Sequence, residues 1–486
     1  MIWLIARREI ADHLQSVRFV ALCLLALVLM PLGAYVNTES YRSRQAYHEV
    51  LREATQEAME SGRRPVSGFR ARPDDPGLRA LRPPAPLSIL AVGHDGSLPA
   101  YWQLTIEGVV PGPPLGRSEG LAGLIGEVDF LFVVQVILGL LAVLLAFDAV
   151  SGEKERGTLR AVLAHPVPRI QVILGKFVGG LVTLFLPLLL GTIASLLVLQ
   201  IMGQTLLTGQ ALGRLALFVG GAGLYLSALL ALGLAVSAVT HRQRTSLVLL
   251  LVIWVTLVLV LPRGAALVAA AVRPVEPHQV TERRIETALE PIEAERRQRL
   301  EAAWVAEGQD PEAIFTPADP ELRARYGAKR QEIDAELFRR RRDVIRDIES
   351  ERRRRLDSQR GLAAGIARLS PAASFGFLAT EATGTGDAIR HRWEERVAGH
   401  QRQLEGLVFD RAVGFEVWTE HGSASSTSDE DEEQIPTYAE LPRLEIEPRS
   451  FGAVVRAAFP DLAWLTLFNL VALVFAAVAF LRYDVR

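Results

Sequence analysis

The chain holds 486 residues, half of them hydrophobic and 22% charged, with a net charge of only -2, so no global basic field favours nucleic acid. Its single cysteine, Cys23, lies in an apolar run, which excludes an intramolecular disulfide and a Cys-based metal site. Four Met and nine scattered His form no soft-ligand cluster of the kind that handles copper.

Charged and apolar residues are segregated along the chain, and that segregation predicts an all-α polytopic membrane protein with six spans. Residues 1–18 set Ile2, Trp3, Ile5, Ile10 and Leu14 among Arg7, Arg8, Glu9 and Asp12, the pattern of an interfacial helix. The first span follows over 19–37, read as an uncleaved anchor rather than a signal peptide. Residues 38–127 form a polar insertion with a helical opening from Tyr41 to Glu60. Its Pro-rich stretch from Arg82 to Leu90 should be extended or looped.

The second span covers 128–150 and leads into a charged segment, 151–169, wedged between two apolar runs. Glu153, Lys154, Glu155 and Arg156 precede Gly157, Thr158, Leu159 and Arg160, and Pro166 and Pro168 then forbid further helix. This predicts one short amphipathic surface helix. Leu159, Val162 and Leu163 would share a face, with Arg156 and Arg160 paired to Glu153 and Glu155. The third span, 170–202, carries Gly175, Gly179 and Gly180 at a spacing that permits close helix approach, and Pro187, which should kink it.

A tight turn near 203–213 leads to the fourth span, 214–239, whose Gly220 and Gly223 mark it as a packing helix. Basic residues at 240–245 precede the fifth span, 246–272. Residues 273–456 are a second large insertion. Ile285, Leu289, Ile292, Leu300 and Trp304 recur at helical spacing, as do Ile333, Leu337, Val344, Ile348 and Leu356, with Gly308, Pro311, Pro317 and Pro320 between them. That describes an antiparallel helical hairpin. Acidic residues interleave with its arginines, as on a solvated, self-paired helix face.

The apolar segment from Leu369 is too short and too broken to cross, and reads as lying on the outer membrane surface. A further amphipathic helix carries Trp393, Val397, His400 and Leu404. The acidic run Asp429 to Glu433 reads as a mobile loop, and the sixth span covers 460–481. Short loops rich in Lys and Arg alternate with one that has none. That asymmetry predicts both termini in the cytoplasm and both insertions outside.

The stretch around 151–169 resembles the loop between the second and third spans of ABC-2 type permeases, in the branch that includes the permease of nitrous-oxide-reductase maturation. The matching residues are Asp148, the run SGEKERGTL from Ser151 to Leu159, the Pro-x-Pro-Arg ending at Arg169, and Leu174, Gly175 and Lys176. The LSPA segment, the GTG at 384–386 and the RYDVR ending resemble a subgroup with large extracytoplasmic insertions. The resemblance implies a coupling helix, built from Glu153 to Arg160, that docks on a separate ABC ATPase subunit. It also implies two ATPase copies, a second permease copy or a related permease, and a bacterial inner-membrane location in the lipid bilayer.

No phosphate-binding glycine loop occurs, since Gly175-Lys176 is followed by Phe177 and opens a span. The chain is therefore expected to bind no cofactor and to be no enzyme, with ATP and Mg on the partner subunit. Nearly charge-free spans favour a hydrophobic cargo over an ion. The long hairpin leaves a second expectation open, a mechanotransmission device that works on an outer partner and moves no solute.

Overall fold

The computed structural model describes residues 1–61, 76–105, 108–114, 129–159, 168–204, 209–309, 320–409, 436–444, 446 and 449–482. The acidic run Asp429 to Glu433 lies outside the described residues. Among those described, six helical stretches are long and apolar enough to cross a bilayer: Val17–Glu60, Phe130–Arg156, Arg169–Ile201, Gly209–Val239, Gln243–Val272 and Phe451–Leu481. The chain is all-α in class, with few strands.

Helix α1 (Ile2–Leu14) is a short amphipathic piece. Ser16 then caps α2 (Val17–Glu60), whose 44 residues reach roughly 65 Å at ~1.5 Å per residue, about twice a bilayer's hydrocarbon thickness. The span and the helical opening of the first insertion are thus one continuous rod. No Gly or Pro falls between residues 37 and 60 to break it, and Pro31 is accommodated inside the helix. Phe19, Cys23, Ala26 and Met30 turn one face of the rod into the bundle core.

The second span opens at Asp129, whose carboxylate accepts the Phe132 N–H at 2.8 Å. It passes through a π-helical segment, Val133–Leu138, into α3 (Gly139–Ala146). After a turn comes α4 (Ser151–Arg156), then α5 (Arg169–Ile201) and α6 (Gly209–Val239). Pro187 sits within the continuous α5. The fifth span is α7 (Gln243–Val255), a second π segment, Thr256–Val260, and α8 (Leu261–Val272).

The hairpin is α9 (His278–Ala306) against α10 (Pro320–Ala367). Leu289, Ile292, Ile333 and Leu337 form its narrow apolar seam, flanked by Ile285, Leu300 and Val344. Cross-helix ion pairs run in opposite directions along the two helices, from Arg284–Glu351 through Glu293–Arg341 to Arg296–Asp334, which makes the pair antiparallel.

Helix α11 (Pro371–Thr383) departs from the sequence reading. Instead of lying on the membrane surface, it is buried in the bundle. Phe375 is fully buried, stacks on Tyr225 at 5.3 Å and meets Phe218 edge-on at 5.7 Å. Small residues, Ala372, Ala379 and Ala382, let α11 sit close to its neighbours within the core. Ser370 caps it, accepting from the Ala372 and Ala373 N–H groups.

Both π segments meet this helix or its neighbours. The Ser370 hydroxyl donates to the Leu257 carbonyl, and the Gln135 amide donates to the Ala372 carbonyl at 2.8 Å. Tyr225 Oη donates to the Gln135 carbonyl at 2.7 Å. A π turn withdraws carbonyls from the regular ladder, and side chains of other elements here take them up.

The insertions also hold a three-stranded antiparallel sheet that the helical reading missed: β1 (Arg79–Leu81), β2 (Tyr101–Thr105) and β3 (Gly108–Pro111). Ala80 pairs with Trp102, and Leu104 with Val109. Strands of three to five residues carry too few positions for alternation to register. On this sheet packs α12 (Asp387–Leu404), with Trp393 stacked on Trp102 at 5.4 Å. The sheet of the first insertion, α12 of the second and the far end of α2 share one core around Leu78, Leu104, Val397 and Met59. Ser450 caps the last span, α13 (Phe451–Leu481).

Candidate functional site

The site is the junction of α4 with α1, α5, the end of α6 and the start of α7. Sequence alone predicts one helix through this segment, but α4 stops at Arg156. Gly157 adopts φ +74° and caps it in the left-handed region, where a side chain is disfavoured. Thr158 and Leu159 begin a new helical turn. Arg160, with Val162 and Leu163, lies outside the described residues.

The pairing within the segment also differs from expectation. Glu153 pairs with Lys176 of α5, Nζ to Oε1 at 2.8 Å, and with no arginine of its own segment among the described residues. Lys176 Nζ also donates to Glu9 Oε1 of α1 at 2.6 Å, and the lysine is only 4% exposed. An ammonium out of water requires charged partners, and the two carboxylates supply them. Glu153 Oε2 is buried without a hydrogen-bond partner among the described residues. Arg156 instead donates Nε–H to the Gly152 carbonyl at 3.1 Å.

Two further fasteners tie α4 to the bundle. Lys154 Nζ donates to the Ala238 carbonyl and, at 3.1 Å, to the Thr240 carbonyl, which closes the C-terminal end of α6. Glu155 Oε2 accepts the Gln243 N–H at 2.9 Å, where α7 begins. Beneath them the Ser237 hydroxyl accepts the N–H groups of Val150 and Ser151, both at 3.0 Å, and donates to the Phe147 carbonyl at 2.9 Å. Leu159 is buried with Val150, Val172, Ile173, Ala238 and Phe480. What remains exposed is the tip: Glu155, Arg156, Gly157 and Thr158.

The glycines of α5 explain how α1 comes so close. A Cβ on Gly175 would lie 2.7 Å from Ile5 Cβ, and one on Gly179 would lie 2.9 Å from the Ala6 carbonyl oxygen. The close approach is therefore to the amphipathic helix. A Cβ on Gly223 would lie 2.5 Å from Phe185 Cζ of α5, whereas one on Gly220 would meet nothing within 4 Å among the described residues. His13 lies 3.8 Å from Glu9, and burial lowers its imidazole below the ordinary value of 6.5.

Sequence reasoning missed the partners Glu9, Ser237 and Gln243, and took Lys176 only as part of a family pattern. A lysine two turns inside an apolar span is itself the signal, because it demands a buried counter-charge.

A family model described as ABC-2 family transporter protein matches residues 3–485. The chain is 32% identical over 124 residues to a protein of Stutzerimonas stutzeri named "Probable ABC transporter permease protein NosY". It is 33% identical over 123 residues to the protein of the same name from Pseudomonas aeruginosa. These stretches cover about a quarter of this chain, 26% and 25%, and 45% of each relative, so the likeness spans less than half of either protein.

Proposed function

Since the chain belongs to the ABC-2 family of transporter proteins, we propose that it is a membrane permease subunit of an ABC transporter and that the exposed tip of α4 receives work from an ATPase partner. In this reading two ABC ATPase subunits bind two permease copies, or this chain with a related permease. Residues 155–158 contact the ATPase. The site lies in the cytoplasm together with both termini, and the insertions lie outside a bacterial inner membrane.

One observation carries the proposal. Glu153, Lys154 and Glu155 each hold a different element, so a push on Arg156 or Thr158 cannot move α4 alone. It must displace α1 and the facing ends of α5, α6 and α7 together, a rigid-body shift that nucleotide binding can bias. Export of a hydrophobic cargo through the paired permeases is the output that suits spans almost free of charge.

The test is affinity purification of the full chain from its native membranes. Arg156→Glu and Thr158→Asp should reduce the recovered ABC ATPase at least tenfold at unchanged permease level. Undiminished recovery in both variants would overturn docking at this tip. A Thr158→Cys variant should react with an impermeant maleimide in inside-out vesicles and resist it in intact cells. The reverse pattern would refute the assigned topology.

A second reading is favoured by the unbroken α2 rod, a stiff arm from the membrane to the shared core of the insertions. Here the complex would transmit motion to an outer partner and move no solute. Deleting residues 279–360 separates the readings. An exporter keeps basal cargo-stimulated ATPase activity, and a lever loses its output.

A further inference from the structure

The second span changes its hydrogen-bonding register above the coupling junction, and other elements hold the change in place. Below the wide turn of Val133–Leu138, the Gly139 N–H is shared by the Val134 and Val136 carbonyls and misses Gln135, its acceptor in an α register. The Gln135 carbonyl is taken instead by the Tyr225 hydroxyl at 2.7 Å. Gly139 makes room for that hydroxyl, since a Cβ there would lie 2.7 Å from Tyr225 Oη. Single wide turns of this kind are frequent at functional sites.

Helix α11 supplies the clasp. Gln135 Nε2 donates to the Ala372 carbonyl at 2.8 Å, and the Phe375 ring stacks on Tyr225. Both groups that keep the turn wide are therefore positioned by α11. Just past its C-terminal end, the Thr385 hydroxyl donates to the Ala91 carbonyl at 3.0 Å and the Thr385 carbonyl accepts the His94 N–H at 2.9 Å. The clasp is thus tied to the first insertion.

One group is left unsatisfied by this arrangement. Trp254 of α7 is 8% exposed, and its indole N–H has no hydrogen-bond partner among the described residues. That nitrogen lies 3.4 Å from the position a Gly139 Cβ would take, which Tyr225 Oη also flanks. A buried donor without an acceptor is costly. The wide turn is not the register in which every polar group of this core is satisfied.

We propose that the second span is a register switch set by α11. While α11 clasps Gln135 and Tyr225 the turn stays wide, and when the insertions draw α11 away the turn closes to α. Closing adds one residue of rise, ~1.5 Å, and turns α3 by about 100° against the outer half of the span. Leu138 then moves to the place of Gly139 and displaces the Tyr225 hydroxyl, while the Gly139 N–H takes the freed Gln135 carbonyl. The displaced hydroxyl offers a lone pair to the Trp254 N–H. The two arrangements exclude one another, as a switch requires.

Helix α3 leads through one turn into α4, so its rotation reaches Glu153, Lys154 and Glu155. The insertions thereby govern the junction. This output at α4 rests on the coupling reading, but the switch is tested in the chain alone, so absence of ATPase docking and absence of the switch are separate results.

The experiment uses the full chain, labelled with 5-fluorotryptophan, in phosphatidylcholine nanodiscs. The fluorine resonance of Trp254 is assigned by its loss in Trp254→Phe. Phe375→Ala, which loosens the clasp, should raise a second Trp254 resonance at least tenfold over its level in the unaltered chain. Deletion of Val136 removes the extra residue of the turn, so the two halves of the span keep their present placement and no register is left to gain. In that background Phe375→Ala should raise no second resonance, whereas a ring-current change from the lost phenyl would appear in both backgrounds. Gln135→Leu, which cuts the tie to Ala372 without emptying the core, should show the same dependence on Val136 and serves if Phe375→Ala does not fold. A second resonance absent from both clasp variants, one equally strong after the deletion, or a deletion variant that does not fold would each overturn the proposal.

Discussion

Two regions of this molecule use ion pairs, and they use them differently. The α9–α10 hairpin is laced with Arg–Glu and Arg–Asp pairs, such as Arg284–Glu351, Arg299–Glu336 and Arg340–Glu295, and most of these face water. The junction at α4 rests on one lysine, Lys176, shared by Glu9 and Glu153 and almost wholly buried. Exposed pairs lie in a high dielectric, are screened by salt and cost side-chain entropy, so each contributes little. The buried trio cannot trade its partners for water. Breaking it strands charge in a low-dielectric site. Charge density along the sequence therefore points to the hairpin, while the energetic consequence sits at an isolated lysine.

The largest expected effect is that of Lys176→Met, which leaves two carboxylates facing each other without a counter-charge. It should cost about 3–5 kcal/mol, read as a lowered thermal midpoint of the purified full chain. The triple variant Glu9→Gln, Glu153→Gln, Lys176→Met should recover most of that loss. Recovery would show the penalty to be electrostatic, and a triple variant no more stable than the single would sink the comparison.

Ser237→Ala comes next. It removes an acceptor for the Val150 and Ser151 N–H groups and should lower stability by about 1–3 kcal/mol through unsatisfied buried donors. Protection of residues 147–156 against hydrogen exchange should fall with it, and unchanged protection would remove Ser237 from the junction.

The effect of pH is smaller. Burial holds the folded His13 below 6.5, so the unfolded chain takes the proton more readily. The stability it contributes is present above about pH 6.5 and is lost as pH falls toward the folded value. His13→Gln should therefore flatten the decline in thermal midpoint between about pH 7 and pH 5. An equally steep decline would assign the acid sensitivity elsewhere.

Arg340→Ala, in the hairpin, should have the smallest effect, below about 1 kcal/mol. A loss comparable to that of Lys176→Met would erase the distinction between the two regions.

Much of the architecture was legible in the order of residues. Six apolar runs, the hairpin seam through Leu289, Ile292, Ile333 and Leu337, and the α12 stripe of Trp393, Val397 and Leu404 all follow from periodicity, because each element buries a face set by its own repeat. The candidate site was legible as a place and not as a mechanism. The run from Glu153 to Arg156 marked it, yet local spacing assigned those side chains to one another. Glu153 and Lys154 turn inward, and the helix ends at Gly157. Helix α11 was misplaced for a related reason. Its Pro and Gly residues describe a short helix correctly, but a short apolar helix can lie on a membrane or inside a bundle, and only the neighbours Tyr225, Phe218 and Gln135 decide between them.

The sequence by itself determined the spans, the amphipathic first helix, the hairpin and the charged segment between the second and third spans, since hydrophobic run length and helical period act locally along the chain. Only the tertiary structure decided which charges are buried together, where α11 lies, and that two insertions far apart in sequence close around one core. Those outcomes depend on which surfaces meet across more than a hundred residues of chain. A buried charge or core takes its energy from that meeting, through desolvation and contact, and residue spacing carries no record of it.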